Sequence, residues 1–251
     1  MIYAVILAGG KGTRMNSNNI NKVALKIDGK PLIVYAVEKV TEFADKVIVV
    51  IGAYADSVKQ CLTNFQVEYA YQDQQLGTAD AVARALSLIK NSSDNLVLIG
   101  YGDHMMHYKN STIKQLIDYH KTRDADLTLV SVFFDDPNLL AWGRVVKNKQ
   151  GKIIAIVEQK DATEEELKIK ELNAGFYVVR ASFLKKFLPQ ITPSPATGEY
   201  YLTDLVKLAV ENGYKVENYT VDFAEVGYGV NTPQQLKLAE QMLIKSKQDS
   251  N

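Results

Sequence analysis

Short apolar runs alternate with stretches whose apolar residues recur every three or four positions, and this rhythm organises the first half of the chain. Ile2 to Leu7 reads as a strand buried on both faces. Pro31 to Phe43 follows as a helix with Ile33, Val37 and Val40 on one face. Val47 to Ile51 is a strand, Ala53 to Leu62 a helix, and Val67 to Tyr71 a third strand. Gly77-Thr78 opens a helix whose Ala79, Val82, Leu86 and Ile89 share one side. Leu96 to Ile99 is a further buried strand, ending on Gly100-Tyr101-Gly102-Asp103. The alternation predicts an α/β fold in three layers: a mixed, mostly parallel sheet flanked by helices.

The second half changes character. Leu127 to Phe134 is β-like, and Trp142 to Val146 with Lys152 to Val157 reads as a hairpin around Lys149-Gln150-Gly151. The charged stretch Lys160 to Glu171 is a solvated helix or loop. Ala174 to Val179 is a strand, Tyr201 to Asn212 a helix, Val216 to Val221 a strand and Pro233 to Lys245 a last helix. Ser246 to Asn251 is polar and expected to fray. With no repeat and no linker, residues 1–251 are expected to form one domain, its halves meeting near residue 110.

Composition narrows the function. Apolar residues make up 47% and charged residues 23%, as in ordinary globular chains, and 29 basic residues balance 29 acidic ones. No global field would draw nucleic acid or an anionic membrane, so an anionic ligand must be held by local cations. Cys61 is the single cysteine, which excludes an intramolecular disulfide. There is no signal-peptide pattern and no membrane-length apolar run, so the expected location is the cytoplasm.

Candidate chemistry starts where the first strand ends, at Leu7-Ala8-Gly9-Gly10-Lys11-Gly12-Thr13-Arg14-Met15. Glycines let successive backbone N–H groups face an anion, and Lys11 and Arg14 add charge-assisted donors for phosphate. The spacing is not a Walker A loop. The dinucleotide fingerprint begins at Gly10 and Gly12 but meets Met15 where its third glycine belongs. Ligands of open α/β sheets bind beyond the carboxyl ends of the strands. The glycine loop, the Gln72 to Thr78 segment and Asp103 all fall there.

These stretches resemble the nucleotidyltransferases that make nucleotide sugars. The resemblance rests on the glycine loop, Gln-Leu-Gly-Thr-Ala at 75–79, Tyr-Gly-Asp at 101–103, Trp-Gly-Arg at 142–144 and Val-Glu-Gln-Lys-Asp-Ala-Thr at 157–163. Leu-Asn-Ala-Gly at 172–175, Gly-Glu-Tyr-Tyr-Leu-Thr-Asp at 198–204 and Gly-Val-Asn at 229–231 complete it. The order is most similar to the uridylyltransferase (pyrophosphorylase) domain of bacterial N-acetylglucosamine-1-phosphate uridylyltransferases, and it runs from the first strand to Asn231. The fold implied is the Rossmann-like nucleotide-diphospho-sugar transferase type, with a nucleotide half over 1–110 and a sugar half with a terminal helix over 111–251.

The reaction implied is attack of a sugar 1-phosphate on the α-phosphorus of UTP, releasing pyrophosphate. It calls for magnesium, alignment and neutralised charge rather than a protein nucleophile. By position, Leu7, Ala8, Gly9 and Gly10 would line the nucleotide, and Lys11, Gly12, Thr13 and Arg14 would wrap its phosphates. Gln72, with Gly77 and Thr78, would read the uracil edge. Arg14 and Lys22 would stabilise charge at the reacting phosphates. Asp103 and Asn231 would hold magnesium. Tyr101, Gly102, Gly143, Glu158 and Asn173 would form the sugar side. The expected partners are UTP or another nucleoside triphosphate and a sugar 1-phosphate, N-acetylglucosamine 1-phosphate first among them, and not nucleic acid or membrane. Homo-oligomerisation is left open.

The chain departs from that pattern at three places. Asn21 stands where proline precedes the family's lysine, in a loop one residue longer. His104-Met105-Met106 replaces a Val-Pro-Leu type of stretch, and Ala174 replaces a threonine. Other acceptors therefore stay in view: another hexose 1-phosphate, or phosphocholine with CTP. A catalytically silent nucleotide-sugar-binding protein is the reading from a different class. His104 and His107, three residues apart, lack a third ligand for zinc. No hexapeptide repeat occurs, so an acetyltransferase β-helix domain is not expected in this sequence.

Overall fold

A computed structural model describes residues 1–15 and 20–248. Residues 16–19, part of the loop read as one residue longer, and the end of the polar tail at 249–251 lie outside the described residues. In chain order the elements are β1 (Ile2–Ala8), β2 (Lys26–Ile27), β3 (Lys30–Pro31), α1 (Leu32–Thr41), β4 (Lys46–Ile51), α2 (Ala55–Cys61) and β5 (Glu68–Tyr71). Then come α3 (Thr78–Ala85), β6 (Leu96–Tyr101), α4 (Asn110–Arg123), β7 (Leu127–Phe133), β8 (Arg144–Lys147), β9 (Ile153–Val157) and β10 (Glu171–Arg180). The chain closes with α5 (Ala181–Phe187), α6 (Asp204–Glu211), β11 (Val216–Thr220), α7 (Phe223–Val226) and α8 (Pro233–Gln248).

The main sheet runs β11-β7-β10-β6-β1-β4-β5, with the β8–β9 hairpin attached through β10. Pairing is parallel from β6 through β1 and β4 to β5, and between β7 and β11. β10 is antiparallel to both of its neighbours, β6 and β7. Because successive strand residues face opposite ways, β1 feeds two cores at once. Ala4, Ile6 and Ala8 pack with Ile33, Val37 and Val40 of α1 and Ile113 and Leu116 of α4. Tyr3, Val5 and Leu7 pack on the other side with Ala79 and Val82 of α3, Phe183 of α5 and Leu205 of α6. The expected three-layer α/β architecture is present.

Four features escaped the apolar pattern: α4, α5, the β2–β3 hairpin and α7, whose four residues are too few to show a helical period. α4 has only Ile113, Leu116 and Ile117 as aliphatic residues in its fourteen positions, too sparse a stripe to stand out, yet all three are buried. α5 continues directly from β10, so its helical period is hidden behind a strand's apolar run. The β2–β3 hairpin turns on Asp28 and Gly29, both at positive φ, the pair a two-residue turn of this type favours.

Other boundaries moved for local reasons. The helix expected from Tyr201 begins at Asp204, because the backbone before it is bonded to the 76–79 segment: Tyr200 N donates to Leu76 O and Ala79 N to Tyr200 O. The charged stretch is a loop with one turn of 3₁₀ helix at Glu166–Lys168. Its last residue, Glu171, is instead a buried strand carboxylate, held by Lys147 at 2.5 Å, Ser131 at 3.0 Å and Asn218 at 2.7 Å. The expected fraying of 246–248 is not seen, as α8 continues to Gln248.

Candidate active site

The glycine loop leaves β1 at Gly9 and turns at Gly12, where φ is +59°. Asn21 pins it. Its buried amide nitrogen donates to Ala8 O (3.0 Å), Gly10 O (3.2 Å) and Ala53 O (2.7 Å), while its oxygen accepts from Val23 N at 3.1 Å and so caps the turn that carries Lys22. A proline could make none of the side-chain bonds. Asn21, treated in the sequence as a departure, is thus the residue that shapes the loop. Lys22 then packs under Gly12, where a Cβ would lie 2.8 Å from its own Cβ.

Two cavities meet at the carboxyl ends of β1 and β6. The first is lined by Leu7, Ala8, Gly9, Gly10, Gln72, Gly77 and Thr78, joined by Asn21, Gln75 and Glu199. The second is lined by Arg14, His104, Trp142, Gly143, Glu158, Asn173, Ala174 and Asn231. Lys22, Thr78, Tyr101 and Asp103 line both and form the wall between them. Of the residues expected at the site, Lys11, Gly12, Thr13 and Gly102 line neither cavity. Gly102 is a packing position: its N–H donates to Leu7 O, and a Cβ there would lie 2.9 Å from Ile33.

In the first cavity the Gln72 side chain is buried and lies across Gly9. A Cβ on Gly9 would come 2.6 Å from Gln72 Oε1. The opposite wall is a backbone zip between two motifs distant in sequence. Gly77, at φ +118°, faces Tyr200 so closely that a Cβ would lie 2.6 Å from Tyr200 N, and Leu202 N donates to the Thr78 hydroxyl at 2.9 Å. Burial pushes the Tyr101 phenol, on the wall between the cavities, well above its ordinary pKa. Tyr101 in turn lies on Gly175, at φ +72°.

The second cavity is built on the irregular part of β10. Asn173 pairs with Ser131 and Tyr177 with Leu129, so four steps on β10 face two on β7 and the strand bulges at Ala174-Gly175. Asn173 is fixed there, donating to the Tyr177 hydroxyl at 2.6 Å and accepting from Gly175 N at 3.2 Å. Glu158 accepts from Thr203 at 2.9 Å. Burial pushes its carboxyl above the usual range, an effect the Thr203 hydroxyl opposes and the charges of Asp204, Asp161 and Glu199 reinforce. His104 bonds Gly227 O at 3.0 Å and packs tilted against Trp142, with ring centroids 4.6 Å apart and planes at 57°; burial lowers its pKa.

In the sequence Arg144 stands out only as the end of Trp142-Gly143-Arg144. It is fully buried and faces carbonyls rather than a carboxylate: Trp142 O at 2.5 Å, Pro137 O at 3.1 Å and Leu140 O at 3.5 Å, with Asn138 Oδ1 at 3.1 Å. It holds the loop that presents Trp142 and Gly143 to the second cavity.

Charge concentrates on the shared wall. Lys22 Nζ donates to Asp103 Oδ2 at 2.5 Å and to Asn231 Oδ1 at 2.8 Å. A carboxylate oxygen and an amide oxygen, 128 residues apart in sequence, thus converge on one cation, and Val230 N bonds Asp103 O at 3.2 Å to hold the two loops together. Two such oxygens suit magnesium, which keeps waters and takes one or two protein ligands beside substrate phosphates. Among the described residues no cluster of three or more His, Cys, Asp or Glu could hold a metal by itself. None of the described helices is long and apolar enough to cross a membrane.

Comparison with known proteins agrees with this architecture. A nucleotidyl transferase family model matches residues 3–227. The bifunctional protein GlmU of Thermoanaerobacter pseudethanolicus is 42% identical over 245 residues, covering 97% of this chain and 52% of that protein. The protein of the same name from Acholeplasma laidlawii is 35% identical, covering 96% of this chain and 51% of its own length. The chain therefore spans about half the length of these curated relatives. A structure described as a UDP-glucose pyrophosphorylase complexed with UDP-glucose aligns with a TM-score of 0.79 at 19% identity, covering 98% of this chain and all of that one. One described as a putative glucose-1-phosphate thymidylyltransferase from Bacillus anthracis aligns with a TM-score of 0.76 at 20% identity, over 97% of this chain and 95% of that one. At these identities the two structures bear on the fold.

Proposed function

We propose, for a chain that belongs to the nucleotidyl transferase family, that it transfers a uridylyl group from UTP to a sugar 1-phosphate and releases pyrophosphate. N-acetylglucosamine 1-phosphate is the acceptor we favour, because relatives at 35–42% identity carry the name GlmU. The observation that carries the reading is the shared wall: two cavities abut at Lys22, Thr78, Tyr101 and Asp103. Such a layout suits a displacement in which two anionic substrates must meet.

The acceptor phosphate is already an anion, so no side chain has to remove a proton from it. Its oxygen forms a bond to the α-phosphorus while the bond to the β-phosphate bridge breaks, and pyrophosphate leaves with that electron pair. What the protein must supply is alignment and positive charge where negative charge builds up. Arg14 lines the second cavity, and Lys22 stands on the wall, in reach of phosphates arriving from either side. Asp103 and Asn231 would hold magnesium, which would supply positive charge against the substrate phosphates.

Base choice falls to Gln72, whose remaining acceptor oxygen suits the N3–H of uracil. Asn173, Glu158 and the Gly143 backbone offer the mix of donors and acceptors that a neutral polyol needs. We also propose that the chain works as one domain with a nucleotide side and a sugar side, in the cytoplasm.

The test is pyrophosphate release with magnesium across four nucleoside triphosphates and a panel of sugar 1-phosphates, phosphocholine included. Release with UTP and N-acetylglucosamine 1-phosphate is the expected result. Release with a different pair would keep the reaction and reassign the acceptor to the pocket built by His104, Trp142 and Ala174. Silence across the grid, with nucleotide sugar still bound in calorimetry, would make the chain a binding protein.

A further inference from the structure

The Lys22 ammonium occupies the point on which the two proposed metal ligands converge, 2.5 Å from Asp103 Oδ2 and 2.8 Å from Asn231 Oδ1. The Arg14 guanidinium reaches the same Asn231 oxygen at 3.4 Å. Magnesium demands about 2.0–2.1 Å from each oxygen ligand. An ion bonded to Asp103 Oδ2 at that distance would lie no more than about 4.6 Å from the lysine nitrogen, and like charges so close repel. The Lys22 and Asp103 side chains are 16% and 13% exposed, so solvent screens that repulsion weakly. One point has two cationic claimants.

Lys22 also has somewhere else to go. It lines both cavities, and its Cβ is packed beneath Gly12 of the glycine loop. Rotation about its four-carbon stem can carry Nζ toward phosphates in the first cavity with no backbone movement. A triphosphate offers the ammonium an anionic partner in exchange for Asp103.

Resting on the reading of the preceding subsection, we propose that Lys22 is a built-in competitor for the divalent ion. It holds the Asp103 and Asn231 oxygens until the triphosphate draws its ammonium away, so that metal and nucleotide load the site cooperatively. Linkage makes the effect reciprocal: whatever the nucleotide adds to metal affinity, the metal adds to nucleotide affinity. The arrangement also keeps a lone divalent ion from settling where it could not act.

Manganese, read by the EPR signal of the free ion, tests this without any turnover. The titration is run on nucleotide-free wild-type protein, Lys22→Met and Lys22→Gln, each with and without Asp103→Asn, with circular dichroism melts to show that every variant is folded. Both Lys22 variants should bind manganese about tenfold tighter or more than wild type, within the usual range of coupling between sites. Adding Asp103→Asn should abolish the gain. If neither Lys22 variant binds tighter while Asp103→Asn alone weakens binding, competition is overturned and the metal ligands stand. If Asp103→Asn changes nothing on any background, both the competition and the ligand assignment fall. If the Lys22 variants bind tighter but pyrophosphate release is absent for every substrate pair, the competition stands and uridylyl transfer falls.

Discussion

Gln72 is locked by Asp80. Its amide nitrogen donates to Asp80 Oδ2 at 2.8 Å and to Gly77 O at 3.0 Å, and Arg84 holds Asp80 from the other side at 2.6 Å. A carbonyl and a carboxylate only accept, so the amide cannot turn over, and Oε1 is the atom left for a ligand. From the sequence either amide orientation was open; the structure leaves one.

Gln72→Ala should therefore raise the KM for UTP with little change in kcat and narrow the preference for UTP over the other triphosphates. A lost neutral hydrogen bond is worth about 0.5–1.5 kcal/mol, or roughly 2- to 12-fold. Gln72→Glu should do more harm, because it sets a second carboxylate against Asp80 and Gly77 O. Steady-state kinetics with four triphosphates, alongside thermal melts, separates the two. Unchanged base preference in Gln72→Ala would remove Gln72 from base reading.

Asp103→Ala should lower kcat/KM by about 10²-fold or more, the scale of losing one preorganised electrostatic group. The melting temperature should hold, since Asp103 makes its main-chain bond to Val230 whatever its side chain. A variant with near-wild-type turnover would take Asp103 out of the mechanism.

Arg144→Lys should loosen the loop over the second cavity. An ammonium cannot reproduce a planar fork that spans Pro137, Leu140 and Trp142 carbonyls. We expect a stability loss of about 1.5–3 kcal/mol, the value of a hydrogen bond to a charged group, and a raised KM for the sugar phosphate with the KM for UTP unchanged. Equal rises in both KM values would mean that the loop does not act on the acceptor side alone.

Stability should fall in mild acid. His120 is buried against Thr128, its Nδ1 2.8 Å from the hydroxyl and its Nε2 without a hydrogen-bond partner; burial first, then the Arg180 charge, lowers its pKa to about 4. His107 is lowered to about 4 by burial and then by His104. The unfolded chain takes up these protons near pH 6.5, the folded chain only near pH 4, so folding is favoured fully above pH 6.5 and progressively less down to pH 4. Urea unfolding across that window should show the slope, and His120→Gln should flatten it. An unchanged slope in that variant would place the acid sensitivity elsewhere.

What the sequence by itself determined was local. Apolar runs of strand length between stretches of helical period were enough for the layers, and glycines and polar residues at strand ends were enough to mark Gly9, Gly10, Gln72, Gly77 and Asp103. These signals depend on a few neighbouring residues, so a linear reading finds them. The tertiary structure alone decided the rest. β10 reads as any apolar strand, yet it inserts antiparallel between β6 and β7, and its bulge sets Asn173. Lys22 meets Asn231 across 209 residues, and Arg144 finds its carbonyls only once the 137–142 loop has closed over it. Strand direction and register, and the partners of buried polar groups, depend on which distant segments satisfy one another's hydrogen bonds and charges. No window along the chain contains both halves of such a pair.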